Sequence, residues 1–275
     1  MIAALFQYQF LQNAVIASIL ASIVCGVIGV IIVEKKLIMM SGGIAHTSYG
    51  GVGLGYLLGF EPIFGALFIS ILAALGIGYI KRKGGTRSDV VIGLFWSLGM
   101  ALGIMFIAMM PGYPPDLTSY LFGNILSVTR SDLYFMACFT LIIVLVISVL
   151  FNYWKAYLFD DEFASIIGIK TGFMEYLLFV LIAISVVVLI RVVGIILVLA
   201  LFTAPTAIAG LIAKSLKLRM VLSIIIGGLF CFLGLWISYA LNVASGAAIV
   251  ILSSVGYLLA YCASSIRMGR RIKGL

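Results

Sequence analysis

Nine apolar runs of about 20 residues divide this sequence, and they constrain its fold more than any other feature. A bilayer's hydrocarbon core is about 30 Å thick and an α-helix rises about 1.5 Å per residue, so each run can cross a membrane as a helix. A water-soluble surface is excluded, because 64% of the 275 residues are hydrophobic and only 9% are charged. The runs cover residues 10–33, 37–59, 62–80, 90–110, 132–151, 173–190, 194–213, 220–240 and 246–265.

We therefore predict an all-α, polytopic membrane protein with about nine transmembrane helices in a single domain, residues 1–275. Only a few residues, from Arg191 to Gly194, separate two of the runs. If those runs formed one long kinked helix, the number of spans would fall to eight.

The basic residues indicate that the amino terminus lies outside and the carboxyl terminus in the cytoplasm. In this orientation only Arg130 and Arg191, of 17 basic residues, lie near the outer side, and lysine and arginine favour the cytoplasmic side. Topology thus explains the net charge of +8, and we predict no nucleic-acid partner. The cytoplasmic clusters are Lys35/Lys36, Lys81/Arg82/Lys83/Arg87, Lys155/Lys170, Lys214/Lys217/Arg219 and Arg267/Arg270/Arg271/Lys273.

The second apolar run contains the single histidine of the chain, His46, among glycine and hydroxyl residues. Ionisable side chains are costly in a membrane and tend to face a solute path, and neutral imidazole is a common metal ligand. The alternative is a packing histidine, hydrogen-bonded to a neighbouring helix. Ser41 and Thr47 are further candidates for a metal path, although hydroxyls in a span more often bond their own helix.

Gly51, Gly55 and Gly59 recur every four residues in the same run. Residues at this spacing share one face of a helix, and small residues there let another helix backbone approach closely. We predict a packing role for all three.

The proline-rich segment 111–124 follows the fourth run and lies on the outer side in this topology. Its acidic residue, Asp116, is a candidate for attracting a cation to the outer mouth of a path. An exposed carboxylate in a loop is more commonly just solvated, and that alternative stays open.

The cytoplasmic segment 159–170 is predicted to form a two-turn helix that docks against a soluble protein. Asp160 is a plausible N-cap, Asp161 and Glu162 complement the positive end of the helix, and Gly168 can terminate it. Phe163 lies on an apolar side shared with two isoleucines. The alternatives are a solvated connector or an acidic metal site, and a metal site here would lie on the wrong side for import.

Covalent chemistry is not expected from this chain. It contains no GxxxxGK[ST] phosphate-binding loop, and its one histidine excludes HExxH and Ser/His/Asp constellations. The four cysteines lie far apart in apolar segments, as packing residues do. We predict a protein that is not an enzyme, binds no cofactor and takes energy from ATP only through another polypeptide.

Four segments together resemble the metal-uptake family of ABC-transporter permeases, and the resemblance covers nearly the whole chain. They are MSGGIAH at 40–46, LTSYLFGNIL at 117–126, DDEFA at 160–164 with Gly168-Ile169, and VGIILV at 193–198 leading to Ala204-Pro205.

The resemblance implies a multi-pass permease in the cell (inner) membrane that imports zinc or manganese, possibly iron. It implies a permease homodimer in membrane lipid, two soluble ABC ATPase subunits and an extracytoplasmic metal-binding protein. It places His46 on the metal path and residues 160–169, including Ala164, in the segment that couples to the ATPase.

One departure from the family pattern concerns the path itself. Many relatives carry an aspartate four residues before the histidine, where this chain has Gly42. The scarcity of carboxylates on the path keeps open a permease for a metal chelate or other small solute. A self-sufficient secondary transporter or channel is a separate alternative, from a different class. The secondary transporter is disfavoured because such proteins usually carry paired acids in their spans. A scaffold without transport would leave His46 unexplained.

Overall fold

The protein is helical apart from short connections, as seen in a computed structural model that describes residues 7–83, 88–112, 123 and 125–273. No β-strand occurs within these ranges, which confirms the predicted all-α class. The helices are α1 (Gln9–Glu34), α2 (Ile38–Leu58), α3 (Pro62–Lys83), α4 (Ser88–Ala108), α5 (Arg130–Val149), α6 (Phe151–Phe159), α7 (Asp161–Ile166), α8 (Thr171–Val193), α9 (Ile195–Ile212), α10 (Leu216–Leu241) and α11 (Ser245–Lys273), with a 3-10 turn at Ile125–Ser127.

Eight helices in the described part of the chain are long and apolar enough to cross a bilayer. The ninth long helix, α2, has 21 residues, but its glycine and hydroxyl residues make it less apolar. Protein surrounds it instead: between Met40 and Gly53 every residue is buried except His46, which is half-buried. The predicted count of eight to nine spans is thus confirmed: there are nine if α2 is counted and eight if it is not.

The junction between α8 and α9 is a true break rather than a kink. Gly194 adopts φ +79° and ψ 159°, a conformation essentially restricted to glycine. Gly123 also has a positive φ and lies so close to the Val193–Gly194 peptide that a side chain there would overlap it. Two separate helices therefore occupy the region where one long kinked helix was the alternative.

The glycines of α2 let its backbone contact two neighbouring helices directly. Gly51 packs on Gly65 of α3, and a Cβ added at Gly55 would come within 2.6 Å of the Cα of Pro62. Gly59 differs: it ends α2 in the left-handed conformation, and no described residue lies within 4 Å of its missing Cβ. Its place in the structure is that of a helix terminator, and the predicted packing role of Gly59 stays a prediction.

Helices α1 and α8 are the most deeply buried spans, whereas α11 presents most of its side chains outward. Helix α2 contacts α3 and α4 most extensively and also touches α8 and α9. Helix α2, which is not apolar enough to be counted with the eight candidate spans, is thus packed among other helices of the protein.

We predict that Gly51→Ala destabilises the protein, because the new methyl group would overlap the backbone of Gly65. The expected loss is about 1–3 kcal/mol, typical of overpacking, measured as a lower midpoint of thermal unfolding in detergent. Gly93→Ala is the matched control, since Gly93 is a helical glycine on α4 and no described residue lies within 4 Å of a Cβ there. Equal shifts in the two variants would contradict this account of the α2–α3 contact.

Candidate functional site

The imidazole of His46 is stacked on the indole of Trp96 from α4. The ring centroids are 4.1 Å apart and the ring planes differ by 8°. The Nδ1 atom of His46 is buried and has no hydrogen-bond partner among the described residues. This nitrogen is therefore not committed to a hydrogen bond with a neighbouring helix.

The two hydroxyl residues predicted for the metal path both bond backbone carbonyls. Ser41 donates to the Ile38 carbonyl oxygen at 2.8 Å. The hydroxyl of Thr47 lies 2.7 Å from the Gly43 carbonyl oxygen and 3.0 Å from that of Phe95, the residue before Trp96. Such bonds are the usual state of hydroxyls in spans, and Thr47 in addition ties α2 to α4.

Asp116, the fourth residue predicted for the metal path, lies outside the described residues. Within the described ranges, no group of three or more histidine, cysteine, aspartate or glutamate side chains is arranged to hold a metal ion. Among the described residues, His46 is thus not part of such a group, and its place on a metal path stays a prediction.

Gly42 leaves room for a side chain. Among the described residues, a Cβ at this position would meet the two terminal methyl groups of Leu199 from α9, at 3.6 and 3.7 Å, which is ordinary contact. Gly42 precedes His46 by four residues and lies on the same face of α2. A carboxylate here would therefore start within reach of the imidazole without a steric clash at its Cβ.

At the end of the molecule that the predicted topology places in the cytoplasm, α7 has the local geometry expected of residues 159–170. An oxygen of Asp160 accepts hydrogen bonds from the backbone nitrogens of Glu162 at 2.8 Å and Phe163 at 3.1 Å, which makes Asp160 the N-cap. Gly168 follows the helix with φ +87°. Ala164 is fully buried and fastens α7 to the body of the protein instead of facing outward.

The outward side of α7 is apolar although it is exposed. Phe163, Ile166 and Ile167 have 53%, 82% and 53% of their surface exposed. Beside Phe163 a groove of about 540 Å³ runs between α6 and the start of α10, and its lining includes Lys155 and Lys214. Apolar side chains grouped beside a cationic groove form a surface suited to a protein partner.

An ion pair connects α7 to the corner between α1 and α2. Lys35 pairs with Asp161, and its ammonium also lies 3.8 Å from the centre of the Tyr157 ring. Burial is the main cause that raises the pKa of Tyr157, and the nearby carboxylates of Glu175 and Asp161 raise it further. The phenol of Tyr157 therefore stays neutral. A second pair, Glu34 with Arg219, joins α1 to α10 at the same level.

At the opposite end of α8, Arg191 bridges two carboxylates. It lies 2.6 Å from an oxygen of Glu61, in the α2–α3 connection, and 2.9 Å from one of Asp132, at the start of α5. Asp132 also completes a capping box with Thr129. The bridge therefore fixes three elements at the end of the molecule that the topology places outside.

Sequence analysis did not identify Trp96, Lys35 or Arg191 as site residues. Trp96 lies in an apolar run with no distinguishing pattern, and the two basic residues were used only as topology signals. Each of these residues contacts a partner between 50 and 130 positions away in the chain. A single sequence does not indicate which residues meet over such separations.

Comparison with known proteins adds independent findings. The model of the ABC 3 transport family matches residues 7–264. The membrane protein slr2045 of Synechocystis sp. is 42% identical over 92% of this chain and 90% of the relative. The manganese transport system membrane protein MntC of Listeria monocytogenes is 35% identical over 94% of this chain and 91% of its own. The solved structure of PsaBC from Streptococcus pneumoniae in complex with Fab superposes with a TM-score of 0.86 at 36% identity, covering 94% of each chain.

We predict that Gly42→Asp tightens binding of Mn²⁺ to the purified protein, because it adds a hard oxygen ligand one helical turn from His46. A gain of roughly tenfold, equivalent to about 1.4 kcal/mol, is expected in titrations followed by the electron paramagnetic resonance of free Mn²⁺. Gly42→Asn has the same shape without the charge and should gain much less. Identical affinities for wild type and Gly42→Asp would contradict a metal path at this face of α2.

Proposed function

The chain belongs to the ABC 3 transport family, and from this premise we propose that it is the permease subunit of an ATP-binding-cassette importer for a divalent metal ion. The observation that carries the choice of cargo is His46, a ligand-type side chain with a free ring nitrogen inside the membrane-embedded helices. Relatives named as manganese permeases make manganese the first cargo to test and zinc the second.

The protein is a multi-pass component of the cell membrane and takes no direct part in ATP hydrolysis. We place the ATPase contact at α7, where the exposed Phe163, Ile166 and Ile167 offer an apolar surface for a soluble subunit. The complete importer is proposed to contain two copies of this chain, two ATPase subunits and an extracytoplasmic protein that delivers the ion.

The contacts around Lys35 suggest how ATPase movement reaches the metal path. Lys35 holds α7 through Asp161 and lies three residues before α2, the helix that carries His46. Closure of the ATPases would shift α7, and the ion pair would carry that displacement to the start of α2. The helices around His46 would then alternate between outward-open and inward-open states.

Weak coordination is part of this proposal. A single neutral imidazole holds a divalent ion briefly, so the permease releases what it receives. Selection among metals then depends mainly on the delivery protein.

ATP-dependent uptake of radioactive manganese and zinc tests the proposal, with the chain reconstituted in vesicles together with its ATPase and binding protein. His46→Ala should lower the uptake rate by on the order of tenfold or more without weakening ATPase docking. Phe163→Ala combined with Glu162→Ala should abolish both uptake and ATPase docking, because it removes two exposed side chains of α7 that are proposed to contact the ATPase. Ser165→Ala, also exposed on α7, is the control and should behave as wild type.

Uptake that His46→Ala leaves unchanged would reduce His46 to a packing residue and would favour a metal chelate as cargo. Uptake without ATPase or ATP would instead favour a secondary transporter.

We further predict that exchanging the charges of Lys35 and Asp161 separates their role in coupling from their effect on stability. Lys35→Asp alone should lower the uptake per ATP hydrolysed several-fold, and Lys35→Asp with Asp161→Lys should restore most of it. The effect on unfolding should be small, about 1 kcal/mol or less, because Asp161 is solvent-exposed. Coupling that the single variant leaves intact would exclude this ion pair from the transmission route.

A further inference from the structure

The ring of His46 is held by stacking on an aromatic neighbour, whereas the rings of most metal-binding histidines are held by a hydrogen bond. A histidine ligand is usually oriented by its second ring nitrogen, which donates to a carboxylate or carbonyl. In His46 the buried Nδ1 has no such partner among the described residues, and the face of the ring lies parallel to the Trp96 indole at 4.1 Å.

The backbone contact between α2 and α4 fixes the position of the indole. A Cβ at Gly50 would come within 2.9 Å of the Gly99 carbonyl oxygen, and one at Gly53 within 2.6 Å of that of Gly103. The Thr47 hydroxyl closes the same contact on the Phe95 carbonyl at 3.0 Å. On α2 these contacts follow His46 directly and within about two turns, and on α4 they begin at the residue before Trp96. Sliding one helix along the other would therefore break them together with the His46–Trp96 stack.

Stacking restrains a ring without using its lone pairs. The nitrogen lone pair of a neutral imidazole lies in the ring plane, whereas the contact with the indole uses the ring face. A hydrogen bond from the second nitrogen would orient the ring and also make it a stronger ligand. Stacking gives the orientation without that increase in basicity.

We propose that Trp96 is the positioning residue for His46, fixing the plane of the imidazole so that a divalent cation meets the nitrogen edge and leaves it quickly. This inference rests on the proposed function, because it assigns to Trp96 a role in metal transfer. The role of Trp96 also explains how the path could work with Gly42 in place of a carboxylate, because His46 would be a weak ligand held in the correct orientation.

Uptake measurements with the complete importer provide the first test. Trp96→Leu keeps an apolar side chain but removes the aromatic face, and it should lower the maximal rate of Mn²⁺ and Zn²⁺ uptake by on the order of tenfold. Trp96→Phe should restore most of the rate. Trp236→Leu, a partly exposed tryptophan on α10, is the matched control and should match wild type.

Tryptophan fluorescence provides a second test that does not depend on transport. The chain has three tryptophans, so Trp154→Phe with Trp236→Phe leaves Trp96 as the sole indole. Co²⁺ quenches indole fluorescence at contact distance, and it should quench Trp96 saturably when His46 is present. His46→Gln should abolish the saturable component.

The outcomes separate this inference from the proposed function. Normal uptake by Trp96→Leu, or a quench independent of His46, would overturn the role of Trp96 while leaving the permease intact. An equal loss of uptake rate in Trp96→Leu and Trp96→Phe would also overturn the role of Trp96, since the size of the side chain rather than its aromatic face would then matter. Wild type that imports neither metal would overturn the proposed function, and the Co²⁺ quench would still report on the contact between His46 and Trp96.

Discussion

A helix rich in glycine and hydroxyl groups can lie within a bilayer only if other protein covers it, and the arrangement of this molecule depends on covering α2. Lipid cannot satisfy polar groups, so α3 and α4 approach α2 closely enough for backbone to meet backbone at Gly51 and Gly65. Helix α8 completes the enclosure. The glycines that make α2 too polar for lipid are the same residues that permit this contact.

This enclosure also prepares the site. With its backbone held on two sides, α2 keeps His46 against Trp96, and the buried Nδ1 of His46 has no hydrogen-bond partner among the described residues. Gly42, four residues before His46, has no carboxylate to offer. The proposed path would thus have a single nitrogen ligand, which suits an ion that is received from one protein and released to the other side.

The two ends of the membrane-embedded body are tied by ion pairs between distant segments. Lys35 and Asp161 join the proposed ATPase contact to the start of α2, and Arg191 joins α8 to Glu61 and Asp132 at the other end. Exposed pairs contribute little to stability. Their value in a transporter is that they connect elements that must move together and can separate at small cost.

The sequence by itself determined the features that depend on local pattern. Hydropathy placed the spans, and the Asp160 cap and Gly168 terminator of α7 follow from side-chain and backbone chemistry within a few residues. Only the tertiary structure decided which residues meet across long separations: Trp96 on His46, Lys35 on Asp161, Arg191 between two acids. It also turned Ala164 inward and gave Gly59 a terminating role. The physical reason is that such contacts depend on the relative rotation and depth of packed helices, which residues far apart in sequence fix together.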